Sequence, residues 1–141
     1  MTTSEILNLY GITFSNRILK IAEFPAEIDK HADVTNGSLF RFLIDWNSVQ
    51  DIEEDLLPEI DAVLNGINES ANTGREVDWV ELNVNTTKFY IIGSGSYPDN
   101  PSFQMSTSDF KVVIEAWRDF LLKPPFHGSP ASISDNKLIV L

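Results

Sequence analysis

The chain of 141 residues contains no cysteine. This absence excludes disulfide bonds, cysteine-based zinc sites and thiol nucleophiles together. No apolar run approaches the ~20 residues that a membrane-spanning helix needs. The first residues carry neither the basic region nor the apolar region of a secretory signal. We therefore expect a cytoplasmic protein with no membrane attachment.

Positive charge is also scarce. Ten Lys and Arg stand against 21 Asp and Glu, which gives a net charge of −11. Nucleic acids and anionic membranes are bound by cationic surfaces, so we expect direct binding to neither. Hydrophobic residues make up 43% of the chain, enough for a folded core rather than a disordered acidic tail. We predict a single domain over residues 1–141 whose charge speeds encounter with a cationic partner.

The scarcity of positive charge is complete in residues 42–74, which contain no Lys or Arg. The acidic residues of this window are Asp45, Asp51, Glu53, Glu54, Asp55, Glu59, Asp61 and Glu69. Their mutual repulsion destabilises a fold, and salt screens it only in part. The window is therefore either a well-solvated surface or a surface that meets a basic partner. Because folding alone gives no reason to omit every cation, the pattern favours a partner.

Hydrophobic periodicity predicts an α+β fold. Apolar residues recur at helical spacing in 4–10, 52–67 and 106–121, the last with Ser106 as a candidate cap. Strands are predicted in 12–24 with a break near Ser15, in 39–46, in a hairpin of 77–84 and 88–93, and at 137–141. The polar stretch 26–36 is ambiguous and ends in the turn dipeptide Asn36-Gly37. We predict an antiparallel or mixed sheet of about four to six strands, with two or three amphipathic helices packed on it.

Pro58 complicates the acidic helix, which we expect to end at 72–74. Either the helix begins near Leu57 with Pro58 in its first turn, or a preceding turn is separately wound. The first reading is simpler. It places Asp55, Glu59 and Asp61 near the helix N-terminus, where the macrodipole favours negative charge by roughly 0.3–1 kcal/mol each.

Catalytic patterns are weak. His31 and His127 fall in predicted loops and show no metal-ligand spacing. The glycines and serines of 93–96 lack the lysine and the following helix of a phosphate-binding loop. Pairs of carboxylates that could serve a glycosidase arise by chance among so many acids. We therefore expect no enzyme, no catalytic residue, no cofactor and no metal.

The three tryptophans are predicted to be mainly structural. Trp117 lies on the apolar stripe of the last predicted helix, and Trp79 alternates with polar neighbours in a predicted strand; we expect both in the core. Trp46 ends a predicted strand and opens the acidic window. It is either a core or rim residue, or an aromatic anchor beside the acidic surface, which is the composition of a binding hot spot.

The segment from Met105 to Leu122 resembles the closing helix of small immunity proteins that are encoded beside bacterial polymorphic toxins, including contact-dependent growth-inhibition systems. In that helix an Asp-Phe start, here Asp109-Phe110, leads to an apolar stripe that here is Ile114, Trp117, Phe120 and Leu121. The acidic, cysteine-free format is similar as well. The resemblance implies that these apolar residues are core rather than contact residues.

The same resemblance implies a function without catalysis. The protein would bind a toxin domain made by the same cell, often a nuclease with a cationic groove, and occlude its active site with an acidic surface. The residues expected to contact the toxin are Trp46, Asp51, Glu53, Glu54, Asp55, Glu59 and Asp61. Two alternatives stay open: an acidic adaptor or nucleic-acid mimic that binds a DNA-binding partner, and a small carboxylate-dependent hydrolase.

Overall fold

The structure is a computed structural model that describes residues 1–74, 78–91, 100–131 and 138–140. It has the predicted α+β fold, with its strands in two sheets. The helices are α1 (Thr3–Leu9), α2 (Gly37–Asp45), α3 (Val49–Asp51), a π-helical segment (Ile52–Leu56), α4 (Leu57–Leu64) and α5 (Thr107–Leu121). The strands are β1 (Ile12–Lys20), β2 (Glu27–Val34), β3 (Ser70–Asn72), β4 (Asp78–Asn83), β5 (Thr86–Ile91), β6 (Phe103–Ser106) and β7 (Leu138–Val140).

The first sheet has the strand order β2-β1-β7. Strand β1 runs through Ser15 without the predicted break and pairs with β2 along its length, from Ile12 opposite Val34 to Leu19 opposite Glu27. The ambiguous stretch 26–36 is therefore mostly strand. Strand β7 adds to the other side of β1 in parallel, with Ile18 opposite Leu138.

The second sheet is antiparallel, with the order β3-β4-β5-β6. The predicted hairpin is confirmed as β4 and β5, while residues 75–77 and 92–99 lie outside the described chain. Val80 and Leu82 point into the core. Because side chains alternate along a strand, Trp79 lies on the opposite face and is partly exposed, so the prediction of a core position for Trp79 is wrong.

The predicted strand at 39–46 is wrong, because this stretch forms helix α2. Asn36, which resembled a turn residue, caps the helix: its Oδ1 accepts the backbone N–H groups of Ser38 (3.0 Å) and Leu39 (3.1 Å). Leu39, Phe42 and Leu43 then fall on one buried face. A short apolar run is compatible with both the strand and the helix periodicity, and here the Asn36 cap favours the helix.

The acidic segment is helical from Val49 and ends at Leu64. Helix α4 begins at Leu57 with Pro58 in its first turn, as predicted, but it continues from helix α3 and the π-helical segment instead of starting freely. The Leu57 N–H bonds to the Ile52 carbonyl, five residues back. Since proline has no N–H and its ring crowds the preceding turn, a widened turn before it accommodates both constraints.

Helix α5 begins at its predicted cap, where Ser106 Oγ accepts the Asp109 N–H at 3.1 Å. Its apolar stripe is buried: Phe110, Val113, Ile114, Trp117 and Leu121. The Trp117 indole donates a hydrogen bond of 2.8 Å to the Trp46 carbonyl, which joins α5 to the end of α2. The core prediction for this helix is confirmed except at Phe120, which is partly buried and packs against the core.

Helix α1 is tied to α5 by a polar contact. The Tyr10 hydroxyl donates a 2.6 Å hydrogen bond to Asp109 Oδ2. Burial, together with this bond and the adjacent carboxylate charge, raises the pKa of Tyr10 to about 12. Gly11 follows with φ +64 and sits so close to Thr35 that a Cβ there would lie 2.2 Å from its hydroxyl oxygen, so only glycine fits. Within the described ranges, every helix is too short or too polar to cross a membrane.

Candidate protein-interaction surface

The acidic residues of the helical segment differ in their exposure. The apolar positions Ile52, Leu56 and Ile60 are fully buried. Glu53, Glu54 and Asp55, which we name the acidic triplet, are exposed on the π-helical segment between them. Asp51, Glu59 and Asp61 are half-buried beside the triplet. The structure therefore places all six predicted acidic contact residues on one continuous helical segment.

Their position relative to the helix end differs from the prediction. The free N–H groups belong to the turn at Val49, which Ser48 caps by accepting the Asp51 N–H. Asp55, Glu59 and Asp61 lie one to three turns further on, where the macrodipole has little effect. Their negative charge is therefore not explained by stabilisation of a helix N-terminus.

Asp61 is neutralised, contrary to the expectation that nothing opposes the acidic window. Lys111 of α5 donates to Asp61 Oδ1 at 2.7 Å. This hydrogen bond is the main reason that the pKa of Lys111 is raised. Both side chains are partly exposed, so the pair contributes little to stability. It removes Asp61 from the charge available to a partner.

The acidic triplet, in contrast, has no opposing cation among the residues that the structure describes. Glu54 accepts weak hydrogen bonds of 3.3 and 3.4 Å from Gln50, one helical turn earlier. Gln50 is neutral, so the charge of the triplet stays available. Three consecutive exposed carboxylates give this turn of the segment a local negative charge.

Trp46 is not part of this surface. Only 5% of its area is exposed, and its ring stacks on Phe42 with a centroid distance of 5.8 Å. The prediction of an aromatic anchor beside the acids is wrong, because α2 turns this side chain into the core. Of the two interpretations of Trp46, a core or rim residue and a surface anchor, the structure supports the core position.

Both histidines contact neighbouring groups of the described chain. His31 lies on β2 rather than in a loop, and its Nε2 and Nδ1 face Asp33 at 3.1 Å and Asp29 at 3.8 Å. Ser15 is directly opposite His31, yet both ring nitrogens of the histidine are directed at carboxylates. His127 Nδ1 accepts the Lys30 N–H at 3.1 Å. This histidine therefore holds the loop after α5 against β2.

Groups of three or more His, Asp and Glu side chains with metal-binding geometry do not occur in the described part of the chain. The glycine- and serine-rich residues 93–96 lie outside it.

Sequence reasoning missed the exposed apolar residues at the end of α4. The helix was expected to run to 72–74, which placed Ile67 on its apolar stripe. Instead it ends at Leu64, Gly66 adopts φ +75, and Ile67 is 76% exposed. The Asn65-Gly66 pair was the available signal, because these residues favour the left-handed conformation that ends helices.

Comparison of the chain with protein-family models, with curated proteins and with solved structures found no match. Function must therefore be inferred from the chain itself.

Proposed function

We propose that this protein is a non-catalytic inhibitor that binds a basic protein, a toxin domain made by the same cell, and occludes its active site with the acidic face of residues 49–61. The observation that supports this proposal most directly is the acidic triplet, which is exposed and unopposed by cations in the described chain. The toxin as partner is supported by the resemblance of α5 to the closing helix of immunity proteins.

The electrostatics favour a cationic partner over other ligands. A chain of net charge −11 repels nucleic acid and anionic lipid. A nuclease groove is cationic because it binds phosphates, and carboxylates on a helix can occupy the same positions. Such complementarity raises the association rate and makes it sensitive to salt.

The partner is identified by capture from the native host. The tagged protein is incubated with lysate, washed at low and then at high salt, and the eluates are analysed by mass spectrometry. We expect a stoichiometric basic protein that leaves at high salt and whose toxicity in a growth assay is suppressed by co-expression of this chain. Recovery of several unrelated DNA-binding proteins, or a captured protein without toxicity, would contradict the proposal.

Charge reversal tests the surface. Replacing Glu53, Glu54 and Asp55 together by Lys should slow association with the captured partner by ~10-fold or more at low salt, because steering depends on opposite charge. The fold should persist, since all three side chains are exposed. Stopped-flow kinetics give the association rate, and circular dichroism gives the melting temperature.

A matched pair of double variants separates local from overall charge. Glu53→Lys/Glu54→Lys and Glu23→Lys/Glu27→Lys change the net charge equally, and all four residues are exposed. We expect the first double variant to slow association more than the second. Equal slowing by the two double variants would mean that only the total charge matters. Unchanged association kinetics in the triple variant would show that the acidic triplet is not part of the interface.

A further inference from the structure

Ile67 and Val84 form an exposed apolar pair at the C-terminal end of the acidic helical segment. Ile67 is 76% and Val84 50% exposed. They lie in one open cleft of about 590 Å³ that the end of α4 and residues 65–69 complete. Single exposed apolar residues are common on protein surfaces. These two share one cleft at the C-terminal end of the helical segment that carries the acidic triplet.

The backbone that carries Ile67 is fixed by a helix-ending motif. The Ile67 N–H bonds to the Ala62 carbonyl at 2.8 Å, and the Gly66 N–H bonds to the Val63 carbonyl at 3.2 Å. With Gly66 at φ +75, these are the two bonds of a Schellman motif. In that motif the residue at the position of Ile67 usually packs on the residue at the position of Ala62. Because alanine offers so little surface, Ile67 stays exposed although its backbone is ordered.

The backbone that carries Val84 is fixed as well. Val84 lies in the turn between β4 and β5, where Asn83 Oδ1 accepts the N–H groups of Asn85 (3.1 Å) and Thr86 (2.8 Å). The Thr107 hydroxyl donates to the Asn83 carbonyl at 2.6 Å and ties the turn to α5. Both apolar side chains are therefore presented by ordered backbone, which lowers the entropy lost when a partner binds.

The surroundings of the cleft are negative. Glu69 is part of its wall, and no Lys or Arg occurs among the described residues that line it. The C-terminal end of α4 adds the negative end of the helix dipole, with no basic residue in its last turn. An apolar centre with a negative border is complementary to an apolar side chain that is flanked by cations.

We propose that Ile67 and Val84 form the apolar centre of the contact with the basic partner, which inserts an aliphatic side chain flanked by Lys or Arg into the cleft. This inference rests on the proposed function, and it assigns different roles to two parts of the contact surface. The acidic triplet accelerates encounter, and the apolar pair lengthens the lifetime of the complex, because desolvated apolar contacts at the centre of an interface dominate dissociation.

The chemistry of the occupant is tested with defined peptides. The ¹⁵N-labelled protein is titrated with acetyl-Lys-Leu-Arg-amide, acetyl-Lys-Ser-Arg-amide and acetyl-Glu-Leu-Glu-amide, and amide shifts are followed by NMR. We expect saturable shifts at residues 65–69 and 83–85 with the first peptide, and much weaker shifts with the other two. Equal shifts with the serine peptide would exclude an apolar centre, equal shifts with the acidic peptide would exclude the cationic border, and no saturable shift would exclude both.

Variants test the same cleft in the complex. Ile67→Ser and, independently, Val84→Ser should each raise the dissociation rate of the captured partner by ~10-fold, with an association rate near that of the wild type. Leu9→Ser, at an exposed leucine on α1, is the matched control and should change neither rate. Unchanged melting temperatures confirm that the folds are intact.

The possible failures are distinguishable. If charge reversal slows association but both serine variants dissociate like the wild type, the inhibitor proposal stands and the apolar centre is wrong. If the wild type captures no basic partner, the proposed function is wrong, and the peptide titration alone decides whether the cleft recognises an apolar side chain between cations.

Discussion

At the scale of the single residue, the ammonium group of Lys30 lies 4.1 Å from the centre of the Phe120 ring in a position that is 2% exposed. Among the described residues it has no hydrogen-bond partner. Burial lowers the pKa of Lys30, and the charge of Lys123 lowers it further. A cation–π contact returns about 2 kcal/mol when desolvated, whereas burial of an ammonium costs several kcal/mol. By these magnitudes the cost of burial is the larger of the two.

Replacing Lys30 by Met should therefore stabilise the protein, by about 1–3 kcal/mol at neutral pH. Because the lysine pKa is lowered in the folded state, the destabilisation is fully present below that folded pKa. It is relieved as the pH rises through the folded pKa towards 10.5, the ordinary pKa of a lysine. The advantage of Lys30→Met should then shrink in alkaline solution. Urea unfolding of both proteins at neutral and alkaline pH measures it.

Lys88→Met is the control, since Lys88 is partly exposed on β5 opposite Glu81. Its effect on the free energy of unfolding at neutral pH should be small. A Lys30→Met protein that is less stable than the wild type at neutral pH would show that the aromatic contact outweighs the cost of burial.

At the scale of the element, helix α2 depends on its cap. The strand that the aromatic composition of 39–46 predicted would bury alternate residues, whereas the core takes Leu39, Phe42 and Leu43 from one helical face. Short apolar segments are compatible with both periods, so local composition could not decide. The position of Asn36 immediately before the segment carried the information, but a cap and a turn use the same residue types.

Asn36→Ala should destabilise the protein by about 1 kcal/mol, because the N–H groups of Ser38 and Leu39 lose their shared acceptor. Asn36→Asp keeps the acceptor and should stay close to the wild type. Chemical denaturation measures both. Equal destabilisation by the two substitutions would contradict the role of Asn36 as a cap.

In the acidic helical segment, too, the sequence predicted part of the structure and packing decided the rest. Its apolar residues were predicted correctly as far as Leu64, and the start of α4 at Leu57 was expected. The π-helical turn was not predicted, because it depends on how the turn before Pro58 adjusts so that Ile52 and Leu56 both reach the core. That adjustment places the acidic triplet on the solvent side.

At the scale of the whole molecule, the net charge of −11 acts against folding. Raising NaCl from about 0.1 M to about 1 M shortens the Debye length from about 10 Å to about 3 Å. The free energy of unfolding should rise over this range, because like charges on the folded surface are screened. Denaturation at both salt concentrations measures the gain.

The triple reversal of Glu53, Glu54 and Asp55 to Lys is a useful comparison, because it lowers the net negative charge without changing the core. Its gain with salt should be smaller than that of the wild type. A gain of equal size would show that repulsion within the acidic helical segment contributes nothing to the salt dependence of stability.

Sequence alone determined the α+β class, the hairpin of β4 and β5, the buried stripe of α5 and the acidity of residues 42–74, because each depends on local periodicity or on composition. Tertiary structure alone decided that Lys111 neutralises Asp61, that Trp46 is buried and that Ile67 shares a cleft with Val84. Those relations join residues far apart in the chain, and no local pattern specifies which distant side chains meet. The composition of the acidic surface could therefore be predicted from the sequence, whereas its extent and the exposed apolar cleft of Ile67 and Val84 depended on packing.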